Sequence, residues 1–189
     1  MAVTSQDIIN EAIQIIGDDQ PFVTGQAPNF DNSAAGKVAS KIYASVVATV
    51  ARQFAWPFAR TTAALSLTGN TAPFPWAYEY LYPAGCVQVW QLAPASLADA
   101  NNPLPINWAR GIALVSSVQS SVIWTNQASA HAIFNGNPAE STWDSLFRQT
   151  VVRMLASELA MGVAGKPDAS QMALESAGAF SKLGEGRES

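Results

Sequence analysis

The chain has 189 residues, enough for one core or one core with a large insertion, and its 14 acidic against 10 basic side chains give a formal charge of -4, which excludes capture of nucleic acid by clustered Lys and Arg. One cysteine, Cys86, excludes an internal disulfide and fits a reducing compartment. No apolar run approaches the roughly 20 residues of a membrane span, and the amino terminus lacks the pattern of a signal peptide, so a cytoplasmic product with no membrane partner is expected.

In chain order, the first element is a helix opened by Thr4 as cap, with Asp7 three residues on as the partner of a capping box and Val3 placed to staple onto Ile8. Ile8, Ile9, Ala12, Ile13 and Ile16 make its apolar stripe, and Gly17 suits its end. The following "DDQPFVTGQAPNF" reads as loop. From Asp31 to Trp56 a long helix is expected, with Val38, Ile42, Val46, Val50 and Phe54 spaced by four and Pro57 as its stop.

At residue 61 the period changes. Residues 61–135 read as short strands: "TTAALSL", "PFPWAYEYLYP", "CVQVWQL", "INWARG", "IALVSS", "SVIWTNQ" and "AHAIF". Between residues 61 and 139 the only charged side chains are Glu79, Asp99 and Arg110. Within "PFPWAYEYLYP", residues 73–83, Phe74, Trp76, Tyr78, Tyr80 and Tyr82 alternate, which in an extended strand sends five rings to one face. Prolines 73, 75 and 83 put this run at a sheet edge or at strand ends. Its rings serve either the chain's own core or contacts between subunits; the scarcity of charge, which leaves edges unguarded against pairing, favours the second.

Helix is expected again from Ser141, along Trp143, Phe147, Thr150, Met154 and Glu158, ending at Gly162, Gly165 and Pro167. A last helix begins with Asp168 as cap and carries Met172, Ala179, Phe180 and Leu183 as isolated anchors, a composition suited to docking on a partner. The fold class expected is α+β: a single domain with a helical bundle formed by residues 1–60 and 140–184, a β-rich insertion at 61–139 between the second and third long helices, and a polar tail at 185–189.

No catalytic, cofactor or metal site is expected. His131, the only histidine, lies in an apolar stretch without a G-x-S-x-G turn to serve, one His and one Cys fall short of a zinc site, and Gly36-Lys37 lacks the rest of a phosphate loop. Cys86 reads as a small buried hydrophobe. Glu140, Asp144 and Glu158 are nominal carboxylates for glycoside hydrolysis, which leaves a peptidoglycan hydrolase as one alternative and a monomeric binding module as another.

Trp56-Pro57-Phe58-Ala59, then Tyr78-Glu79-Tyr80-Leu81-Tyr82, then Pro83-Ala84-Gly85-Cys86 stand in an order that resembles the head-to-tail adaptor family of tailed bacteriophages, also called head-completion or tail tubular protein A-like proteins. Glu79 in place of a small residue and Gly85 in place of an Asp depart from that pattern. The resemblance implies a virion structural protein of the neck or tail, assembled in the host cytoplasm into a ring of about twelve copies that joins the portal protein to a tail nozzle or tail tube protein. Double-stranded DNA would pass through its lumen during genome ejection. A charge of -4 per copy would make such a ring acidic, so that phosphates slide through it. Phe180, Lys182, Leu183 and Arg187 are the expected portal-binding residues, because apolar anchors beside donors suit helix-in-groove binding. Trp76, Tyr78, Tyr80 and Trp90 are the expected subunit and tail contacts.

Overall fold

In the computed structural model, which describes residues 3–17, 22–95, 106–164 and 167–185, the chain is mixed α+β. It divides into two units, residues 1–58 with 138–189 and residues 59–137.

In the first unit, helix α1 (Ser5–Ile15) starts at the expected capping box. The Thr4 hydroxyl accepts from the Asp7 amide at 3.3 Å, and the Asp7 carboxylate accepts from the Thr4 amide at 2.9 Å. Gly17, at φ +59°, closes its end. Beyond it the expected loop contains a hairpin, β1 (Gly25–Gln26) with β2 (Asn29–Phe30). Its supports come from α1: the Asn10 amide clamps both backbone groups of Val23, and the Ser5 hydroxyl joins Gln26 and the Ala27 amide. No local pattern announces such a hairpin.

Helix α2 (Ala34–Gln53) is shorter at both ends than expected. Ser33 caps it, held by the Asp31 carboxylate, which the Ser33 hydroxyl and the Thr24 and Ser33 amides lower to a pKa of about 2. At the far end Phe54 is already extended, and Trp56 folds back so that its indole N–H donates to the Val50 carbonyl at 3.0 Å. That bond satisfies one of the acceptors left open at a helix end. The buried Trp56 ring meets Phe147 edge-on at 5.1 Å.

Helix α3 (Ser145–Leu159) is capped by Asp144, whose carboxylate accepts from the Leu146 amide at 2.8 Å, after a short 3-10 turn at Glu140–Thr142. It buries Phe147, Val151, Leu155 and Leu159 and packs against α1, α2 and α4. It runs directly into a π turn, Ala160–Ala164. Helix α3 ends ahead of Pro167, as expected, and Pro167 is the first residue of α4 (Pro167–Glu185), where a missing amide hydrogen costs nothing; Asp168, expected as the cap, lies inside the first turn.

The second unit holds β3 (Arg60–Ala64), β4 (Tyr78–Leu81), β5 (Gln88–Pro94), β6 (Trp108–Val115), β7 (Val118–Thr125) and β8 (Ala130–Asn135). They form two antiparallel sheets, ordered β3-β8-β5 and β4-β7-β6. The core takes Tyr80 and Ile123 from one sheet and Val89, Leu92, Ala130, Ala132 and Phe134 from the other. The two expected strands at 106–117 are one strand, β6. It returns as β7 through Ser116-Ser117, whose φ angles of 50° and 67° suit a tight hairpin turn without the usual Asn-Gly signal. Gly111 within β6 lies under the Trp124 ring, where any Cβ would be 2.2 Å from a ring carbon.

Candidate functional site

The aromatic run does not form one strand. Only Tyr78 to Leu81 pair, at the expected sheet edge, while Pro73 to Trp76 turn, and Phe74 projects with 99 % of its surface exposed. The prolines at 73 and 75 explain this, because they remove two donors that a longer strand would need. Tyr78 and Tyr80 lean on each other, their centroids 6.2 Å apart, and the Tyr80 hydroxyl donates to the Gln127 carbonyl at 2.9 Å. Tyr80 is 2 % exposed, a core ring of its own unit, whereas Trp76 and Tyr78 are half-buried. Tyr82 leaves the strand: its hydroxyl accepts from the Val89 amide at 3.2 Å, and the Arg110 guanidinium covers its ring at 4.6 Å. Burial pushes the Tyr82 hydroxyl up, and burial likewise pushes up the thiol of half-buried Cys86 beside it. Trp90 sits at a bulge in β5, between Val89 and Gln91. Its indole nitrogen and His131 Nδ1 are buried without a partner among the described residues.

The opposite face of β4, where alternation places Glu79 and Leu81, holds a buried carboxylate. Glu79 is 3 % exposed, and its Oε2 accepts from Trp124 Nε1 while Oε1 accepts from the Thr68 hydroxyl and Asn70 Nδ2, each at 2.8 Å. Burial pushes its pKa up, but the donors from Trp124, Asn70 and Thr68 outweigh burial and hold it below the usual glutamate value. Asn70 also donates to the Leu114 carbonyl at 3.0 Å, so the network ties β4 and β7 to the end of β6. Glu79 marked itself in the sequence as a charge in a neutral region and as a departure from the pattern of the family that the chain resembles.

On α4 the burial differs from the expected anchors. Met172 is 70 % exposed, whereas Ala173 and Ala177 are buried, because small residues allow the helix to approach α3 closely. The Ser157 and Ser170 hydroxyls bond across the pair at 2.9 Å, and Phe180 lies under the Arg153 guanidinium at 4.9 Å. Of the other expected portal contacts, Lys182 and Leu183 fall within α4, but their side chains lie outside the described residues, as does the whole of Arg187.

The nominal catalytic carboxylates are spread apart in role. Glu140 accepts from the Tyr43 hydroxyl at 3.2 Å, Asp144 is spent as the α3 cap, and Glu158 is exposed. Burial, reinforced by Glu140, pushes the Tyr43 hydroxyl up. An open groove of about 510 Å³ runs along α1, lined by Asp7, Asn10, Glu11, Gln14, Phe22 and Arg148, and within it Arg148 pairs with Glu11 at 2.5 Å. Among the described residues no group of three or more His, Cys, Asp or Glu could hold a metal ion, and no helix is long and apolar enough to cross a membrane. A scan against protein-family models and a search of curated proteins each found no match to this chain.

Proposed function

We propose that the chain is a head-to-tail adaptor of a tailed bacteriophage, a structural virion protein that assembles into a ring of about twelve copies between portal and tail and lets DNA pass. In this reading the four helices are a bundle formed from both termini, and the β unit is its insertion. One observation carries the proposal: the unit with almost no charge also exposes large apolar side chains. Leu67, Phe74, Ile112, Leu114 and Val118 are all exposed, while Glu79 is buried and Arg110 is turned onto Tyr82. Apolar surface of this kind on a nearly uncharged unit suits burial against further protein. Trp76, Tyr78 and Trp90 retain exposed surface for such contacts; Tyr80 retains almost none. Helix α4 is the portal-docking segment, presenting Met172 and Leu174 outward. The test is to mix the purified chain with a portal ring and image the product by electron microscopy. A second ring stacked coaxially on the portal is expected, and portal rings that stay bare in excess chain refute the proposal.

A further inference from the structure

Four strands form the sheet edges of the β unit, and they are unequally protected. β4 is short, flanked by prolines, and covered by the chain that leaves β3: the Thr68 amide donates to the Glu79 carbonyl at 3.1 Å and the Leu81 amide to the Ser66 carbonyl at 2.8 Å. β5 carries a bulge and ends in Pro94, and both backbone groups of Val89 are taken, the amide by the Tyr82 hydroxyl and the carbonyl by Gln88 Nε2. These are the ways in which proteins close an edge.

Among the described residues β3 and β6 carry fewer of them: neither holds a proline or a bulge, although on β6 the outward Leu114 carbonyl is taken by Asn70 Nδ2. β6 has eight residues with no proline and no bulge, and its one charge, Arg110, is turned onto Tyr82 and Ser121. The two-residue turn makes Val115 and Val118 a hydrogen-bonded pair, so alternate residues Arg110, Ile112 and Leu114 point their backbone groups away from β7. The bond from Asn70 to the Leu114 carbonyl agrees with this parity. On β3 the bonds from the Gly136 amide to the Ala59 carbonyl and from the Leu65 amide to the Ala130 carbonyl fix the parity in the same way. Arg60, Thr62 and Ala64 therefore turn outward, and all three are exposed.

We infer that β6 of one copy pairs with β3 of the next, joining the β4-β7-β6 sheet of the first to the β3-β8-β5 sheet of the second. This rests on the ring reading and supplies its joint. Two different open edges per copy are what a head-to-tail ring uses, whereas a twofold dimer would use one edge twice. Charge selects the direction. Parallel pairing in step would set Arg110 beside Arg60; antiparallel pairing centred on Ile112 opposite Thr62 sets Arg110 against Ala64 and Arg60 against Leu114. Parity fits this register, because all three opposed pairs turn their backbone groups toward each other, with the Leu114 carbonyl already accepting from Asn70 Nδ2. Pairing of this kind is strand addition, in which main-chain bonds supply the affinity.

The register makes a cysteine test specific. Thr61 and Ala113 would form a non-hydrogen-bonded pair with Cα atoms about 4.5 Å apart, within disulfide range. In a Cys86→Ser background, the Thr61→Cys, Ala113→Cys double variant is expected to give a ladder of linked chains on mild oxidation, and each single variant none. Ile112→Pro removes an outward amide without touching β7, and Ile112→Lys adds a guarding charge; each is expected to weaken self-association about tenfold or more with an unchanged circular dichroism spectrum. Self-linking of the Ala113→Cys variant alone would show β6 pairing with β6 and overturn the inference. An assembly that forms without the ladder, or a chain that stays monomeric with and without portal, also overturns it. Linked oligomers that ignore portal would retire the portal assignment and leave the strand pairing intact, so the two failures are distinguishable.

Discussion

Replacing Glu79 by Gln tests the reasoning about the β unit most directly. Among the described residues the carboxylate is buried with no cation paired to it, which is unfavourable in itself, and it is kept by three donors at 2.8 Å. In Glu79→Gln the amide oxygen can keep Thr68 and Asn70, but the new NH2 then faces the Trp124 N–H, donor against donor. A hydrogen bond to a charged group contributes about 1.5–3 kcal/mol, and a buried donor left unsatisfied costs about 1–3 kcal/mol. Relief of the buried charge offsets part of this, so a net loss of about 2–4 kcal/mol at neutral pH is expected. The pH dependence has a definite sign. Because the folded pKa lies below the ordinary 4.5, the unfolded chain binds the proton first on acidification, so the stabilisation is present above about pH 4.5 and disappears as pH falls through the folded value. Urea unfolding followed by near-ultraviolet circular dichroism should therefore show a gap between wild type and variant that closes in acid. Hydrogen exchange at the Thr68 and Leu81 amides should speed up in the variant at neutral pH. Equal stability at neutral pH, or a gap that stays constant through acidification, would refute the account of a carboxylate held ionised by its donors.

Two further outcomes are expected. Trp56→Phe retains an aromatic ring near Phe147 but leaves the Val50 carbonyl without its donor, which should cost about 1–2 kcal/mol, while Trp56→Ala should cost about 3–5 kcal/mol through the cavity it opens; chemical denaturation of both measures the difference. A chain truncated at Gly165 loses α4, whose buried side chains among the described residues are Ala173 and Ala177, so it should remain folded by circular dichroism yet fail to join portal rings in a sedimentation assay. Normal binding by the truncated chain would remove α4 from that role.

What the sequence by itself determined are the features encoded by neighbours a few residues apart. Thr4 and Asp7 specify the start of α1, the four-residue spacing from Val38 to Val50 specifies most of α2, and the change of period after Pro57 separates helix from strand. The mixed α+β class follows from that order. Tertiary structure decided the rest, because those choices rest on groups far apart in sequence. Local alternation extended the aromatic strand over eleven residues, yet the paired strand spans Tyr78–Leu81 with one further bond from the Tyr82 amide to the Ser121 carbonyl, where β7 lies alongside. The Ser116-Ser117 turn carries no strong local signal and is imposed by pairing of the strands on either side. Apolar periodicity on α4 pointed to Met172, but approach to α3 favours the smallest side chains, Ala173 and Ala177. Glu79 is a surface residue by type, and its burial required donors from Thr68, Asn70 and Trp124, up to 45 positions away. Which strand edges stay open is the least local property of all, since an edge is closed or left free by whatever the folded chain brings beside it.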